Sequence, residues 1–192
     1  MIDAEEALDR LREGNRRFVA GAHRGEPYQD QARHVDLSSG QTPFAVVLGC
    51  SDSRAPVEIL FDQRPGDLFV VRVAGNIAKP TQVGSIEFAV NQLGVRLVVV
   101  LGHSDCGAIR AALRHRHDPA PLTPGLNEII EAIAPAIRRD NSVDDAVWAN
   151  VNAVAAGLHH AEGLRDHVDR GALRIVGAKY AIDTGCVEFA TS

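Results

Sequence analysis

The chain has 192 residues, of which 45% are hydrophobic and 23% are charged, and its formal net charge at pH 7 is −5. These values are typical of one globular domain and exclude a collagen, a coiled coil and a disordered tail. The acidic balance argues against nucleic acid as a partner, and no apolar stretch approaches the roughly 18 residues that a membrane-spanning helix needs.

The chain begins with an amphipathic helix predicted over 3–20. Asp3 and Glu6 have capping-box spacing, and the apolar residues that follow recur at steps of three and four. A polar stretch over 21–41 then connects this helix to the rest of the chain. We interpret residues 1–40 as an N-terminal helix and arm, and residues 41–192 as an α/β core.

Three Val-rich runs of strand length follow, at 44–49, 68–73 and 97–101, and glycines bound them. Such runs are typical of strands that are buried on both faces. Residues 83–93 have helical spacing before Gly94, so a strand, helix, strand unit predicts a parallel sheet. Downstream, helices are predicted over 106–115, over 126–139 with Pro135 as an internal break, and over 143–167, and a last strand over 173–182. The predicted fold is a mostly parallel central sheet flanked by helices, with an N-terminal helical arm.

The three cysteines, Cys50, Cys106 and Cys186, are scattered along the chain. This is not the dense, even-numbered pattern of a disulfide-stapled secreted domain. The N-terminal segment also alternates acids and bases, whereas a secretory signal begins basic and continues apolar. We therefore expect a cytoplasmic protein with free thiols.

Reactive side chains follow two of the predicted strands. Cys50, Asp52 and Arg54 come after the strand at 44–49, and His103 and Cys106 come after the strand at 97–101. In open α/β sheets, ligands bind at the carboxyl ends of the strands. Two thiolates and an imidazole suit a borderline-soft ion such as zinc, so the sequence predicts a metal site at these strand ends.

The fourth ligand of such an ion is open at this point. Water would leave an exchangeable, catalytic position, whereas the carboxylate of Asp52 would close the site. Arg54 could hold Asp52 away from the metal in a two-point clamp. The local sequence therefore allows two states of the site.

GCSDSR at 49–54 and GHSDCGA at 102–108 resemble the two signatures of the β-class carbonic anhydrases. The likeness extends through 61–76 and 84–94. It implies a zinc lyase that reversibly hydrates carbon dioxide to bicarbonate and a proton by zinc-bound hydroxide, with Cys50, His103 and Cys106 as permanent Zn²⁺ ligands. Asp52 and Arg54 would form the catalytic dyad of the family, in which Asp52 orients the hydroxide or, in a closed state, replaces it as the fourth ligand.

The resemblance also implies a substrate pocket. Plant-type members of the family use a glutamine nine residues before the first ligand, here Gln41, and aromatic residues matched by Phe69 and Phe88. Backbone N–H groups around Gly107 would add donors for the bicarbonate oxygens. In the family the pocket combines two subunits and the N-terminal helix lies on the neighbour, which implies a homodimer or a dimer of dimers. A helix packed on its own domain would have the same periodicity.

A second subtype of the family binds regulatory bicarbonate near a tryptophan, an arginine and a tyrosine. The matching positions here are Val47, Arg72 and Tyr180, so the tryptophan is absent. We therefore expect the plant-like subtype with an open resting site. Arg72 and Tyr180 are then expected to be structural hydrogen-bonding residues.

Two alternatives of other kinds remain. Carbonyl sulfide and carbon disulfide are linear molecules that the same nucleophile could attack, which would make the chain a related zinc hydrolase. If Asp52 closed the site permanently, the chain would be a noncatalytic zinc or bicarbonate-sensing module. His115 and His117 could bind a metal or shuttle protons, but a polar helix end explains them equally well.

Overall fold

The computed structural model describes residues 2–22 and 38–190. Within them the sheet consists of five strands: β1 (Ala45–Gly49), β2 (Leu68–Arg72), β3 (Leu97–His103), β4 (Arg174–Tyr180) and β5 (Val187–Phe189). The helices are α1 (Ala4–Val19), α2 (Val57–Leu60), α3 (Pro80–Leu93), α4 (Gly107–His117), α5 (Pro124–Ile133), α6 (Val143–His159) and α7 (Glu162–Asp169). None of the helices in these ranges is both long and apolar enough to cross a lipid bilayer.

The sheet has the strand order β2-β1-β3-β4-β5. β1 to β4 run parallel to their neighbours, and only β5 is antiparallel to β4. Every residue of β1 and β3 is buried, as expected for Val-rich strands covered on both faces. The mostly parallel α/β fold predicted from the sequence is confirmed.

Successive residues of the central strands enter two separate cores. Val46 and Leu48 belong to the core on the side of α3 to α7, whereas Ala45 and Val47 belong to the core on the side of α1 and α2. This division follows from the two-residue period of a strand. The sheet is therefore enclosed between two helical layers.

Close approach fixes α6 against the sheet. A Cβ atom on Gly102 of β3 would lie 2.6 Å from Cγ2 of Val151, and one on Gly177 of β4 would lie 2.8 Å from Cγ1 of the same valine. Any larger residue at either glycine would push the helix away. α6 therefore packs directly against β3, the strand that ends in His103.

The helix α1 packs on the chain's own sheet. Asp3 caps it by accepting a hydrogen bond from Glu6 N, and Leu8 and Leu11 are buried in the core on that side. Asn15 donates through Nδ2 to the carbonyl oxygen of Leu60 at 3.1 Å. The helix therefore packs on its own domain, which was one of the two arrangements that its periodicity allowed. Most of the predicted arm, residues 23–37, lies outside the described residues, and packing of the segment 1–40 on a partner subunit stays a prediction.

Two predicted helices were wrong in extent, and one strand was missed. The helix predicted over 126–139 ends at Ile133, because Pro135 has no N–H to donate to the carbonyl oxygen of Glu131, and the chain then turns without resuming the helix. The helix predicted over 143–167 is two helices, α6 and α7, since Ala161 has extended backbone angles. The short edge strand β5 had not been predicted.

Candidate metal centre

The two reactive segments meet because they follow neighbouring parallel strands. Gly49 of β1 pairs with Leu101 of β3, so Cys50 and His103 emerge at the same edge of the sheet. Cys106 is the N-cap residue of α4. The ligand atoms of Cys50, His103 and Cys106 all lie within 4.8 Å of one another, and all three residues are buried. Among the described residues, no other group of three His, Cys, Asp or Glu side chains is placed to hold a metal.

A backbone contact orients the imidazole of His103. Its Nδ1 lies 2.9 Å from the carbonyl oxygen of Ser104, so Nδ1–H donates and Nε2 keeps its lone pair. The side chain is 1% exposed, and Nε2 has no hydrogen-bond partner among the described residues. A buried acceptor without a partner is costly, and a metal ion would satisfy it. Sequence reasoning did not single out Ser104 for this task.

The sulfur atoms of Cys50 and Cys106 are close enough to form a hydrogen bond. Cys50 Sγ and Cys106 Sγ are 4.0 Å apart. A hydrogen bond from the Cys106 thiol keeps the pKa of Cys50 well below its ordinary value, helped by the Gly75 N–H at 3.3 Å. The same hydrogen bond and burial raise the pKa of Cys106. A dication would replace the proton between the sulfurs and balance both negative charges.

These distances fit zinc. Two sulfurs about 2.3 Å from a tetrahedral zinc ion are about 3.8 Å apart, close to the separation of Cys50 and Cys106. Although burial disfavours a charged imidazole, the negative sulfur of Cys50 raises the pKa of His103. Two thiolates and an unpaired imidazole nitrogen are therefore a donor set that suits a borderline-soft cation.

Asp52 lies beside the three ligands but is held by Arg54. Arg54 donates from Nε to Oδ1 at 2.9 Å and from one terminal nitrogen to Oδ2 at 2.8 Å. These bonds keep the pKa of Asp52 well below its ordinary value. Oδ2 is also 3.8 Å from His103 Nε2, so the carboxylate borders the site while both of its oxygens contact the guanidinium. This is the two-point clamp that the spacing of the two residues allowed.

Comparison with known proteins places the chain in a family. Residues 45–187 match the family model described as Carbonic anhydrase. The chain is 41% identical over 181 residues to Carbonic anhydrase 2 of Mycobacterium tuberculosis, an alignment that covers 91% of this chain and 87% of that one. The solved β-carbonic anhydrase CcaA superposes with a TM-score of 0.75 at 27% identity, over 96% of this chain and 95% of that chain. The chain belongs to the β-class carbonic anhydrases.

Tetrameric β-carbonic anhydrases from Sordaria macrospora are also similar, with a TM-score of 0.73 at 26% identity over 86% of this chain and 89% of that chain. As a carbonic anhydrase the chain is an enzyme, and both family and fold support hydration of carbon dioxide as its reaction.

Further residues of this carbonic anhydrase hold the loop between the ligands. Arg72 donates from Nε to the carbonyl oxygen of Cys50 at 2.8 Å and from a terminal nitrogen to that of Asp52 at 2.6 Å. Arg72 is thus a structural hydrogen-bonding residue, as expected. Tyr180 is buried at the end of β4, where its carbonyl oxygen accepts from Ser104 N.

Asp105 is a site residue that sequence reasoning missed. It lies between the two ligands of the second motif and has a left-handed backbone, with φ 54°. Its carboxylate pairs with Arg110 and lies 3.7 Å from a terminal nitrogen of Arg54. The guanidinium that clamps Asp52 is therefore held from a second side. An acid inside the HSDC motif, followed by an arginine five residues later, was the available signal.

The predicted pocket residues are not all gathered at the ligands within one chain. Gly107 follows Cys106 directly and begins α4. Phe69 and Phe88 contact each other, with ring centroids 6.3 Å apart. Phe69 pairs with Val46 near the start of β1, which is four residues or about 13 Å before Cys50. Gln41 is exposed and precedes β1, so it lies toward the same distant end of the strand.

His115 and His117 lie at the end of α4 and are not part of the candidate metal centre. His117 ends the helix, and its Nε2 lies 3.0 Å from the carbonyl oxygen of Arg139. His115 lies in the same last turn, where imidazoles favourably face the negative end of the helix dipole. These positions agree with the interpretation of His115 and His117 as part of a polar helix end.

Proposed function

We propose that this carbonic anhydrase reversibly hydrates carbon dioxide to bicarbonate and a proton, with Zn²⁺ held by Cys50, His103 and Cys106. The observation that carries the proposal is the unpaired, buried Nε2 of His103 facing two sulfurs that are 4.0 Å apart. A bound zinc ion would supply a Lewis acid, which can lower the pKa of water from 15.7 to about 7 and so provide a nucleophile at neutral pH.

The chain's own residues orient that nucleophile. Arg54 keeps Asp52 ionised and donates to Oδ1 twice, from its backbone N–H and from Nε, but to Oδ2 only once, which leaves a lone pair of Oδ2 free. Asp52 accepts a hydrogen bond from the attacking water and so aims a lone pair of that water at the carbon of the substrate. Because Arg54 holds the carboxylate, Asp52 does not serve as a fourth ligand, and the resting site is of the open, plant-like kind.

The substrate pocket combines apolar walls with a few donors. Carbon dioxide is nonpolar, which suits the rings of Phe69 and Phe88, while bicarbonate formation places negative charge on oxygen. The Gln41 amide and backbone N–H groups at Gly107, where α4 begins, would donate to those oxygens.

A second copy of the chain completes this pocket in our proposal. Gln41, Phe69 and Phe88 lie toward the amino end of β1, whereas the ligands lie at its carboxyl end. Phe88 is 49% exposed, which is unusual for a large aromatic residue and fits a covered position in an assembly. The similar Sordaria macrospora enzymes are described as tetrameric, which supports a homodimer or a dimer of dimers.

Stopped-flow hydration of carbon dioxide by the zinc-loaded protein tests the proposal. We expect fast turnover, together with loss of both zinc and turnover in Cys106→Ala. Cys186→Ala is the matched control, because Cys186 is exposed and lies outside the ligand group. A Cys106→Ala protein that kept zinc and turnover would contradict the proposed ligand set.

Turnover of carbonyl sulfide and carbon disulfide should be measured side by side with the same preparation. A clear preference for the sulfur compounds would assign the chain to the hydrolase alternative. Zinc-loaded protein without turnover on any of the three substrates would indicate a noncatalytic sensing module.

A further inference from the structure

The sulfur of Cys50 receives a backbone hydrogen bond from outside the ligand motifs. The Gly75 N–H donates to Cys50 Sγ at 3.3 Å in the buried interior. A donor to a thiolate withdraws charge from the sulfur, and such partners tune both the affinity and the electronics of a metal site. The position of the Gly75 amide therefore matters for any metal that Cys50 binds.

The turn that aims this amide is strained. Gly75 has φ 72° and ψ 18°, and the next residue, Asn76, also has a left-handed φ of 42°. Two successive left-handed residues are rare, and the second costs free energy because it has a Cβ atom. The backbone N–H of Asn76, which shares a peptide group with the Gly75 carbonyl, bonds back to the carbonyl oxygen of Val73 at 3.0 Å and closes the turn.

Asn150 of α6 holds that carbonyl. Its Nδ2 donates to the Gly75 oxygen at 2.9 Å, and the asparagine is 1% exposed. Oδ1 of Asn150 has no hydrogen-bond partner among the described residues, so this amide is buried at a cost that its own bonds only partly offset. An apolar residue of similar size would fill the position without that cost.

The helix that carries Asn150 is itself fixed. Val151, the next residue, is fully buried against the close-packed glycines of β3 and β4. Asn150 therefore contacts Gly75 from a helix that cannot shift without opening the core. A continuous path leads from α6 through Asn150 and Gly75 to Cys50 Sγ.

We infer that Asn150 is a positioning residue for Cys50, acting by holding Gly75 so that its N–H donates to the sulfur. It does not touch the substrate or the reacting atoms. The inference rests on the proposed zinc site and deepens it, because it assigns the control of one ligand's donor strength to a residue of α6.

The test is Asn150→Leu in a Cys186→Ser background, which leaves only the two site cysteines. We expect zinc affinity, measured by competition with a chelator, to fall about 10- to 100-fold. In the cobalt-substituted protein we expect the sulfur-to-metal charge-transfer band to move to longer wavelength, because the sulfur loses a hydrogen-bond donor. In the metal-free protein, Cys50 should also be alkylated at an altered rate, read by peptide mass spectrometry.

Two control variants separate positioning from stability. Asn152→Leu makes the same chemical change at an exposed position of α6, and Leu158→Ala opens a cavity at a fully buried position of that helix. Both should keep the wild-type affinity and band. An unaltered affinity and band in Asn150→Leu, or the same changes in Leu158→Ala, would overturn the inference.

A measurement on the unsubstituted protein covers the case in which Asn150→Leu does not fold. With ¹¹³Cd at the site, the Gly75 amide proton should show a coupling to the metal transmitted through the N–H to sulfur bond, and its absence would overturn the inference. Wild-type protein that binds no metal at Cys50 would overturn the proposed function as well. Metal binding that is insensitive to Asn150 would overturn the positioning role alone.

Discussion

Replacing Gly75 by alanine should destabilise the protein by an amount that the structure allows us to estimate. A left-handed alanine costs about 1–2 kcal/mol relative to glycine. The new Cβ would also lie 2.8 Å from Cδ1 of Ile133 and 3.2 Å from Cβ of Ala108. Ile133 is fully buried, so relief of this overlap costs about 1–3 kcal/mol more. The total is roughly 2–5 kcal/mol, which corresponds to a melting temperature lowered by roughly 4–20 °C for a chain of this length.

Urea unfolding at one protein concentration and saturating zinc measures this loss, because assembly and metal binding both shift apparent stability. Ile133→Val removes the atom nearest to the new Cβ, so a double-mutant cycle with Gly75→Ala should show favourable coupling. Gly84→Ala is the matched control, since Gly84 lies inside α3 with open space around its Cβ position. A Gly75→Ala protein within about 0.5 kcal/mol of wild type would refute the reasoning, and zero coupling would refute the overlap as its cause.

Three further outcomes are expected. Asp52→Asn should lower kcat for carbon dioxide hydration about 100-fold with unchanged zinc content, because an amide has only one acceptor oxygen and Arg54 can no longer hold it at two points. Stopped flow with metal analysis checks this, and undiminished turnover would disprove the role of Asp52. An equimolar refolded mixture of Gln41→Ala and Cys106→Ala chains should regain about a quarter of wild-type activity. Half of the dimers are then mixed, and one of the two sites in each combines intact metal ligands from one chain with Gln41 from the other. If the mixture is no more active than either variant alone, one chain builds the whole pocket. Gly14→Ala should loosen α1 and speed its limited proteolysis, because the new Cβ would lie 1.7 Å from the carbonyl oxygen of Phe61; Gly157→Ala, where space is open, is the control, and equal cleavage rates would argue against this packing.

The position of the site could be predicted because it depends on topology alone. Cys50 and His103 follow Val-rich strands, and such strands pair in parallel, so their carboxyl ends had to share one edge of the sheet. The residue types then indicated the cation. No distance was needed for this step, which is why the sequence sufficed.

The residues that support the ligands were not predictable in the same way. Ser104 acts through its carbonyl oxygen and Gly75 through its N–H, and every residue has such groups. Asn150 did carry a signal, since it shares a helix face with Val147 and Val151 and its burial follows from that spacing. Its partner, 75 residues earlier in the chain, depends on tertiary packing.

The missed helix break between α6 and α7 has a similar explanation. Leu158 and Leu164 are buried on either side of the break, and Ala161 lies between them at helical spacing. The apolar pattern thus continues although Ala161 is extended. His160 and Ala161, where the helix breaks, are neither glycine nor proline, and Gly157 and Gly163 lie inside the two helices, so periodicity alone predicts one long helix.

The separation of the ligands along the chain determines when a metal can enter. Cys50 and Cys106 are 56 residues apart and meet only after β1 and β3 have paired along their length. In an unfolded chain, closing a loop of that size for one ion is entropically unfavourable, whereas small zinc modules gather ligands that are only a few residues apart. Here the two helical layers and the sheet supply the folding energy, and a bound ion would add to it by mass action. We therefore expect a metal to be acquired by an already folded protein and to be exchangeable without unfolding it.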